Sequence, residues 1–477
     1  MEAISNTNVL FVSLPYATKE LHLGRLGGSF IPADVYKKYL TKFKGEDTRI
    51  ISGLDCYGTD VYLRAHAEGV TPRAYIEKVK EKFIKILNFF DISLQFDFIT
   101  STEDHKVFVQ KFIEELYSQG RLSVVEKEKK YCATCNIFLA DRFLVDNQGV
   151  PHEKLIESRV PPVLPYRCKL CLNIPLDKPV NTLMLEYTPS LSEKYSTECI
   201  IQNVTETGKE LSRAKSPWGV PNSTLIQDIL GAPSTCYVWI EALLSYIQQF
   251  RGLPESIQKE SKITYFYAKD NKYYHEIILP QLIPTERIST HHSSTNSICR
   301  NYYLFSKEKM SSSKGNCLDP LLLGVPGDLL RYAICKLDTL HSDSDINESQ
   351  IRKLCADYLK EYINLIKRVD GVTKSVRVVD PLLSVESRPR YHEHMLNNDL
   401  CKSLDDIHLY YQQISKRIEQ CLTQKTLLKN STLLYTQIYN FFDYLQPFTP
   451  RIAQQIKKLL KGSAPFRYDT ITFEIIT

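Results

Sequence analysis

What most limits the folds open to this chain is a strand that runs through a turn into a helix, twice near its start. "NVLFVSLPYA", at residues 8–17, is an apolar run stopped by Pro15, the kind of strand that lies inside a parallel sheet. In the next stretch, "HLGRLGGSFIPADVYKKYLTKF", Ile31, Val35, Tyr39 and Phe43 recur at helical spacing and mark one face. A second apolar strand, "TRIISGLDCYGTD", ends in Asp55 and Gly58, and amphipathic helices are expected at about 72–90 and 103–119. The same texture returns in "TCYVWIEALLSYIQQF" and "ITYFYAKDNKYYHEIILPQL". This order argues for an α/β fold built on a parallel sheet.

Composition narrows the class without naming it. A chain of 477 residues is too long for one core and suggests two or three domains. Hydrophobic content of 43% and charged content of 24% are ordinary for a globular protein, and the net charge of +5 hints at an anionic partner. No apolar run approaches the ~18 residues of a membrane span. The apolar stretch Val9–Leu14 is too short for a signal-peptide core, and Lys19 is the one basic residue before Arg25. Secretory and mitochondrial addresses are therefore poorly supported, and a cytoplasmic protein with reduced thiols is expected.

Between about 120 and 180 the long helices give way to prolines, short strand-like runs and two cysteine pairs. Cys132 and Cys135 form one C-x2-C, and Cys168 and Cys171 another, which together can close a tetrahedral thiolate site for one structural Zn²⁺. Isolated cysteines such as Cys199, Cys236 and Cys421 read instead as core residues. Four thiolates leave no open coordination position, so the metal's job would be folding energy for a module too small to make its own core. From about 320 onward the pattern is helical, and a C-terminal bundle is expected, with Pro447 and Pro450 bending or splitting its last helix.

Two stretches suit phosphate. In "LPYATKELHLGR" a strand, turn and helix set His22 and Gly24 at a helix N-terminus, where unpaired N–H groups favour negative charge. Arg25 follows at once. "KEKMSSSKGN", residues 307–316, carries Lys307, Lys309 and Lys314 around three serines. Alone, the first reads equally as a turn, and the second reads more readily as an ordinary solvated loop.

Together, an H-x-G early in the α/β portion and a K-M-S-x-S late in it resemble the two signatures of class I aminoacyl-tRNA synthetases. The resemblance sharpens to the methionyl-tRNA synthetase family of archaeal and eukaryotic type, through "GLDCYGTD", "CATCNIFLADRF", "SPWGVP", "YVWIEALLSY", "YAKDNKYYH", "VPGDLLRYAI" and "QPFTPRIAQQI" in that order. It spans residues 8 to about 460. It implies a Rossmann-type catalytic domain with a zinc-binding insertion, followed by an all-α anticodon-binding bundle. The implied boundaries are 1–119 and 181–304 for the catalytic halves, 120–180 for the insertion, 305–342 for a stem-contact region and 343–477 for the helical domain.

The implied reaction ligates methionine to its tRNA, initiator and elongator alike, through methionyl-adenylate, with ATP and Mg²⁺. On the family's motifs, His22, Arg25, Lys309 and Lys314 match catalytic positions, and Gly24, Asp270 and Ser311 join His22 and Lys309 in holding ATP. Leu14, Tyr16, Asp55, Trp239, Ala242, Tyr246 and His275 match the methionine pocket, with Asp55 on the ammonium. Asn364 and Arg368 match the pair that reads the anticodon. A monomer with no membrane association is expected.

The chain departs from the pattern in places. The first signature ends in Arg25, the second has Ser312 where a lysine is usual, and Lys314 is the evident substitute. Glu241 stands where an aspartate is usual, and Gln424 where relatives carry a stacking tryptophan. Two other readings stay open: a catalytically weak relative that binds tRNA or acts as a scaffold, and a class I synthetase for another amino acid.

Overall fold

In the computed structural model of this chain the described residues are 7–17, 21–94, 98–152, 155, 161–186, 212–214, 216–283, 295–310, 316–373, 379–380 and 388–461. At the centre lies a parallel sheet, ordered Thr295–Arg300, Lys262–Ala268, Thr7–Val12, Asp47–Ile51. Leu10 sits between Thr264 on one side and Ile50 on the other. Val9, Leu10, Phe11 and Val12 are all buried, because helices cover both faces of the strand. The first strand has a neighbour on each side, reached by connections of opposite direction. The crevice beyond its carboxyl end is therefore a switch point, where α/β folds bind ligands.

The helical run after the first strand is Leu23–Arg25, a π turn Leu26–Phe30, Ile31–Tyr39 and a second π turn Leu40–Lys44. Ile31, Val35 and Tyr39 face the core as their spacing predicts. The next two helices, Pro72–Phe89 and Glu103–Ser118, start at Thr71 and Thr102, whose hydroxyls accept from the N–H groups of Ala74 and His105.

The insertion differs from the short strands expected of it. Leu122–Cys132 and Leu176–Leu185 form a long antiparallel ribbon, in register from Leu122 opposite Leu185 to Tyr131 opposite Leu176. Its first strand reads "LSVVEKEKKYC", and an arm exposed on both faces has no apolar alternation to betray it. Cross-strand pairs hold it instead, including Lys130 on Asp177 and the Lys178 ammonium over the Tyr131 ring. The cysteine pairs sit at the far end of this arm.

The C-terminal part is helical. Glu348–Tyr358 begins with a capping box between Asn347 and Gln350 and runs through a π turn, Leu359–Ile363, into Asn364–Thr373. Leu400–Thr423 and Ser431–Leu445 pack beside it, and Pro450–Lys461 packs on Ser431–Leu445. The last helix is split at Pro447 and Pro450, as their missing N–H groups require.

Arg331, on helix Gly327–Cys335, ties the two halves together. Its guanidinium pairs with Asp34 at 2.7 Å with both side chains fully buried, and also donates to the carbonyls of Phe90, Pro447 and Phe448. Removing one partner would strand a buried charge, at a cost of about 3–5 kcal/mol.

Candidate active site

The first strand ends at Val12, and the chain behind it is stitched to the end of the second. Asp55 N–H donates to the Pro15 carbonyl and Ala17 N–H to the Asp55 carbonyl, so Tyr16 and Asp55 lie side by side. Gly58 has φ of +118°, a conformation that disfavours a side chain, and its Cα faces the Tyr16 hydroxyl so closely that a Cβ would collide with it. The motif "GLDCYG" thus wraps its glycine around a tyrosine to present Asp55.

His22 and Gly24 open the first helix, and the second phosphate-like stretch is seated on them. A Cβ at Gly24 would press on the His22 ring, 3.1 Å from Nδ1, so glycine leaves room for that imidazole, and the buried Met310 lies close by, its Sδ 3.4 Å from the same point. Leu23 N–H donates to the Leu318 carbonyl at 3.2 Å, holding the chain beyond the loop to the same helix start. Lys309 pairs with Asp270 at 2.8 Å, and its ammonium lies 4.2 Å above the Tyr302 ring. Burial pulls the Lys309 ammonium down, but Asp270 and Tyr302 outweigh it and leave the group above its ordinary value. Ser311 and Lys314 lie outside the described residues.

Arg25 turns inward. Burial draws its guanidinium down, while Asp270, Cys317 and Asp55 support the charge. Its Nη1 is buried with no hydrogen-bond partner among the described residues, and so is Oδ1 of Asp55. Burial raises the Asp55 carboxyl well above its usual range and Glu241 adds to this, opposed by the Tyr57 N–H and Arg25. One site therefore holds an unsatisfied cationic donor and an unsatisfied carboxylate oxygen.

The pocket beside them is built from helix Val238–Arg251 and the turn after strand Lys262–Ala268. Tyr246 oxygen accepts from Leu14 N–H at 3.2 Å and lies 3.3 Å from His275 Nε2. His275 Nδ1 meets the Asn271 carbonyl at 2.9 Å, so Nδ1 carries the proton and Nε2 accepts from the Tyr246 hydroxyl. The imidazole stacks on Tyr267 with ring centres 4.5 Å apart. Burial pushes its pKa down to about 4, which keeps it neutral. The polar atoms of this wall are thus satisfied among themselves, and what they offer a ligand is polarizable ring surface.

Trp239 and half-buried Ala242 lie on the same helix. Trp239 is 39% exposed and stacks on Tyr274, centres 4.4 Å apart and planes 4° from parallel. It stands at the pocket's outer edge, next in line to His275.

Far from this crevice, Arg368 donates to the Ser415 hydroxyl at 2.7 Å and to Glu419 at 3.3 Å. Asn364 is half-buried one helical turn before it. In the insertion, the four sulfurs of Cys132, Cys135, Cys168 and Cys171 lie within 4.8 Å of one another. The 3.4 Å between Cys132 and Cys171 and the 4.0 Å between Cys135 and Cys168 bracket the ~3.8 Å edge of a tetrahedron with Zn–S bonds of about 2.3 Å. The residues just past each pair, Asn136 and Leu172, both have positive φ, so the two knuckles turn alike. The donor set fits zinc.

Sequence reasoning missed His105, a buried partner of Glu241 at 2.7 Å, because nothing local marks a helix residue as the mate of one far along the chain. It also missed Trp218, whose indole donates to the Cys56 carbonyl at 2.7 Å and explains the aromatic in "SPWGVP".

Comparison with known proteins bears on all of this. The profile of a family described as tRNA synthetases class I (M) matches residues 8–155 and 186–370. A probable cytoplasmic methionine–tRNA ligase of Encephalitozoon cuniculi is 28% identical over 401 residues, which is 75% of this chain and 70% of that protein. The methionine–tRNA ligase of Pyrobaculum islandicum is 29% identical over 390 residues, 74% of this chain and 68% of its own length. Among solved structures, Mycobacterium tuberculosis methionyl-tRNA synthetase in complex with methionyl-adenylate superposes with a TM-score of 0.72 at 18% identity, covering 98% of this chain and 96% of that one. At that identity the likeness concerns the fold.

Proposed function

The chain belongs to the class I methionine–tRNA ligases, and from that premise we propose that it charges methionine tRNA for cytoplasmic translation through the residues of this crevice. The observation that carries the reading is the pair of orphaned buried atoms, Arg25 Nη1 and Asp55 Oδ1. A ligand that satisfies both must bring an anion and a cation together, as an amino acid lying against a nucleotide phosphate does. Asp55 takes the ammonium, and Arg25, His22 and Lys309 face the phosphates, with Gly24 and Asp270 lining the nucleotide's place.

The substrate carboxylate attacks the α-phosphorus of ATP, pyrophosphate leaves, and a terminal ribose hydroxyl of tRNA then takes the methionyl group. No covalent enzyme intermediate is needed, so the side chains position the reactants and stabilise developing phosphate charge. Lys309 begins this work paired with Asp270 and must exchange that partner for phosphate. Ser311 and Lys314 belong to the same loop in this reading. Leu14, Tyr16, Trp239, Ala242, Tyr246 and His275 form the thioether pocket, whose neutral, internally bonded wall disfavours a charged side chain.

On this reading Mg²⁺ would arrive on the ATP phosphates and supply charge neutralisation there. Cys132, Cys135, Cys168 and Cys171 hold the structural Zn²⁺. Asn364 and Arg368 read the anticodon of initiator and elongator methionine tRNA, and the enzyme works as a monomer. No helix among the described residues is long and apolar enough to cross a membrane.

Amino-acid-dependent ATP–pyrophosphate exchange tests the reading. Exchange with methionine is expected. Exchange with another amino acid would overturn the substrate, and a complete lack of exchange would favour a tRNA-binding scaffold.

A further inference from the structure

Two ammonium groups share one aromatic ring beside the second signature. Ala268 lies opposite Arg300 at the ends of neighbouring parallel strands, so Lys269 and Tyr302 follow just beyond the carboxyl edge of the sheet. The Lys269 ammonium lies 4.3 Å from the centre of the Tyr302 ring, and that of Lys309 lies 4.2 Å from it. Each is also held by a carboxylate, Lys269 by Asp343 at 2.6 Å and Lys309 by Asp270 at 2.8 Å. The sequence neighbours Lys269 and Asp270 thus reach different partners around the same tyrosine, and the four charges cancel.

Tyr302 is a fixed platform. Its N–H donates to Asp343 Oδ1 at 2.8 Å and its carbonyl accepts from Ser344 N–H at 3.0 Å. The oxygen that holds Lys269 therefore also holds the backbone under the ring. Lys309 is placed by a hairpin, Tyr303–Phe305 against Glu308–Lys309, closed through Ser306 and Lys307, both at positive φ. The helical run of the first signature approaches from another side, where a Cβ at Gly28 would lie 3.5 Å from that of Ala268. Lys269 is thus next to the strand end that the first signature's helix packs on, and shares a ring with the second signature.

The second signature has Ser312 where a lysine is usual, which leaves it one cation short. In adenylation that charge matters on the leaving group. The methionine carboxylate oxygen bonds to the α-phosphorus while the bond from that phosphorus to its bridging oxygen breaks. The bridging oxygen departs on pyrophosphate with the electron pair. We propose that Lys269 contacts the departing pyrophosphate together with Lys309 and is the cation that replaces the lysine missing at 312. The inference rests on the reading of this crevice as the adenylation site. At rest, Asp343 and Asp270 neutralise the two lysines. The side chains of Lys269 and Asp343 are each 34% exposed, and ion pairs so open to water are weak enough to yield to phosphate oxygens. Two ammonium groups on one ring favour a polyanion that can satisfy both at once.

The test separates the two steps of the reaction, because pyrophosphate takes part in the first alone. In Lys269→Met the KM for pyrophosphate, measured as ATP synthesis from methionyl-adenylate, is expected to rise about tenfold to hundredfold, the worth of a hydrogen bond from a charged group. The methionine KM and the rate of transfer from preformed methionyl-adenylate to tRNA should stay as in the wild type. Lys269→Arg should restore most of the loss. Asp343→Asn keeps an acceptor for the Tyr302 N–H but removes the resting counter-charge, and is expected to lower the pyrophosphate KM. A lysine that merely tied the strand end to Asp343 would give the opposite pattern, with both variants impaired and transfer slowed as much as adenylation. An unchanged pyrophosphate KM in Lys269→Met, an equal loss in transfer, or a raised KM in Asp343→Asn would overturn the proposal. Wild-type exchange with methionine, run alongside, separates a failure of Lys269 from a failure of the adenylation reading.

Discussion

The wall around Tyr246 and His275 and the corner around Lys309, which the proposed reading gives to methionine and to phosphate, are built in opposite ways. Around Tyr246 and His275 the polar atoms point at one another, the rings stack, and burial fixes a neutral imidazole. Around Lys309 the side chain is nearly half exposed, its carboxylate partner Asp270 equally so, and the buried Met310 beside it lies against the helix start at Gly24. Selecting an apolar side chain needs a surface that does not move. Carrying charge to a phosphate that becomes more negative as it reacts needs donors that can change partners. On the proposed reading, the difference teaches that specificity and rate are held by separate materials, packed rings in one place and loosely paired cations in the other.

Lys309→Ala should strike hardest. Losing a donor that acts on developing charge costs about 10²–10³ in rate, so pyrophosphate exchange should slow by that order while the methionine KM barely moves. A raised methionine KM with an unchanged rate would erase the distinction between wall and corner.

The wall's neutrality has a stability signature. His275 titrates near 4 in the folded chain against 6.5 unfolded. A histidine held down in this way stabilises the fold fully above the unfolded value, and its contribution is lost as pH falls from 6.5 toward 4. The loss amounts to roughly 3 kcal/mol at most. Urea unfolding between those limits should show a shallower pH dependence for His275→Gln than for the wild type. Equal slopes would mean that the imidazole is wet.

Arg368 extends the comparison to the distant bundle. It is held by Ser415 and Glu419, a rearrangeable surface pairing like that of Lys309. Arg368→Ala should weaken tRNA charging by about 1.5–3 kcal/mol, the worth of a hydrogen bond from a charged group, with pyrophosphate exchange intact. Collapse of exchange as well would make the helix structural. The smallest effect is expected for Met310→Ala, a several-fold rise in the ATP KM with the methionine KM unchanged. A change in both would show that the loop seat also supports the wall.

Much of this architecture was legible in the residues. Apolar runs ending in turns marked the parallel strands, and four-residue spacing marked the buried face of Ile31, Val35 and Tyr39. The tetrahedral sulfur cluster followed from two C-x2-C pairs. The exposed ribbon Leu122–Cys132 was not legible, since a strand without a buried face leaves no alternation. The close contact of His105 with Glu241 and the clamp of Arg331 on Asp34 were invisible for another reason. Each joins positions far apart in the chain, and a single sequence records no such pairing.

The meeting of Met310 with Gly24 has a consequence in time. The first signature is made well before the second, which follows only after the sheet's other strands and the whole cysteine-bearing arm. At about 5–20 residues per second, the helix start at His22 waits tens of seconds for the segment that closes over it. Throughout that interval, on the proposed reading, the nascent chain has the beginnings of a nucleotide site and no means of using it.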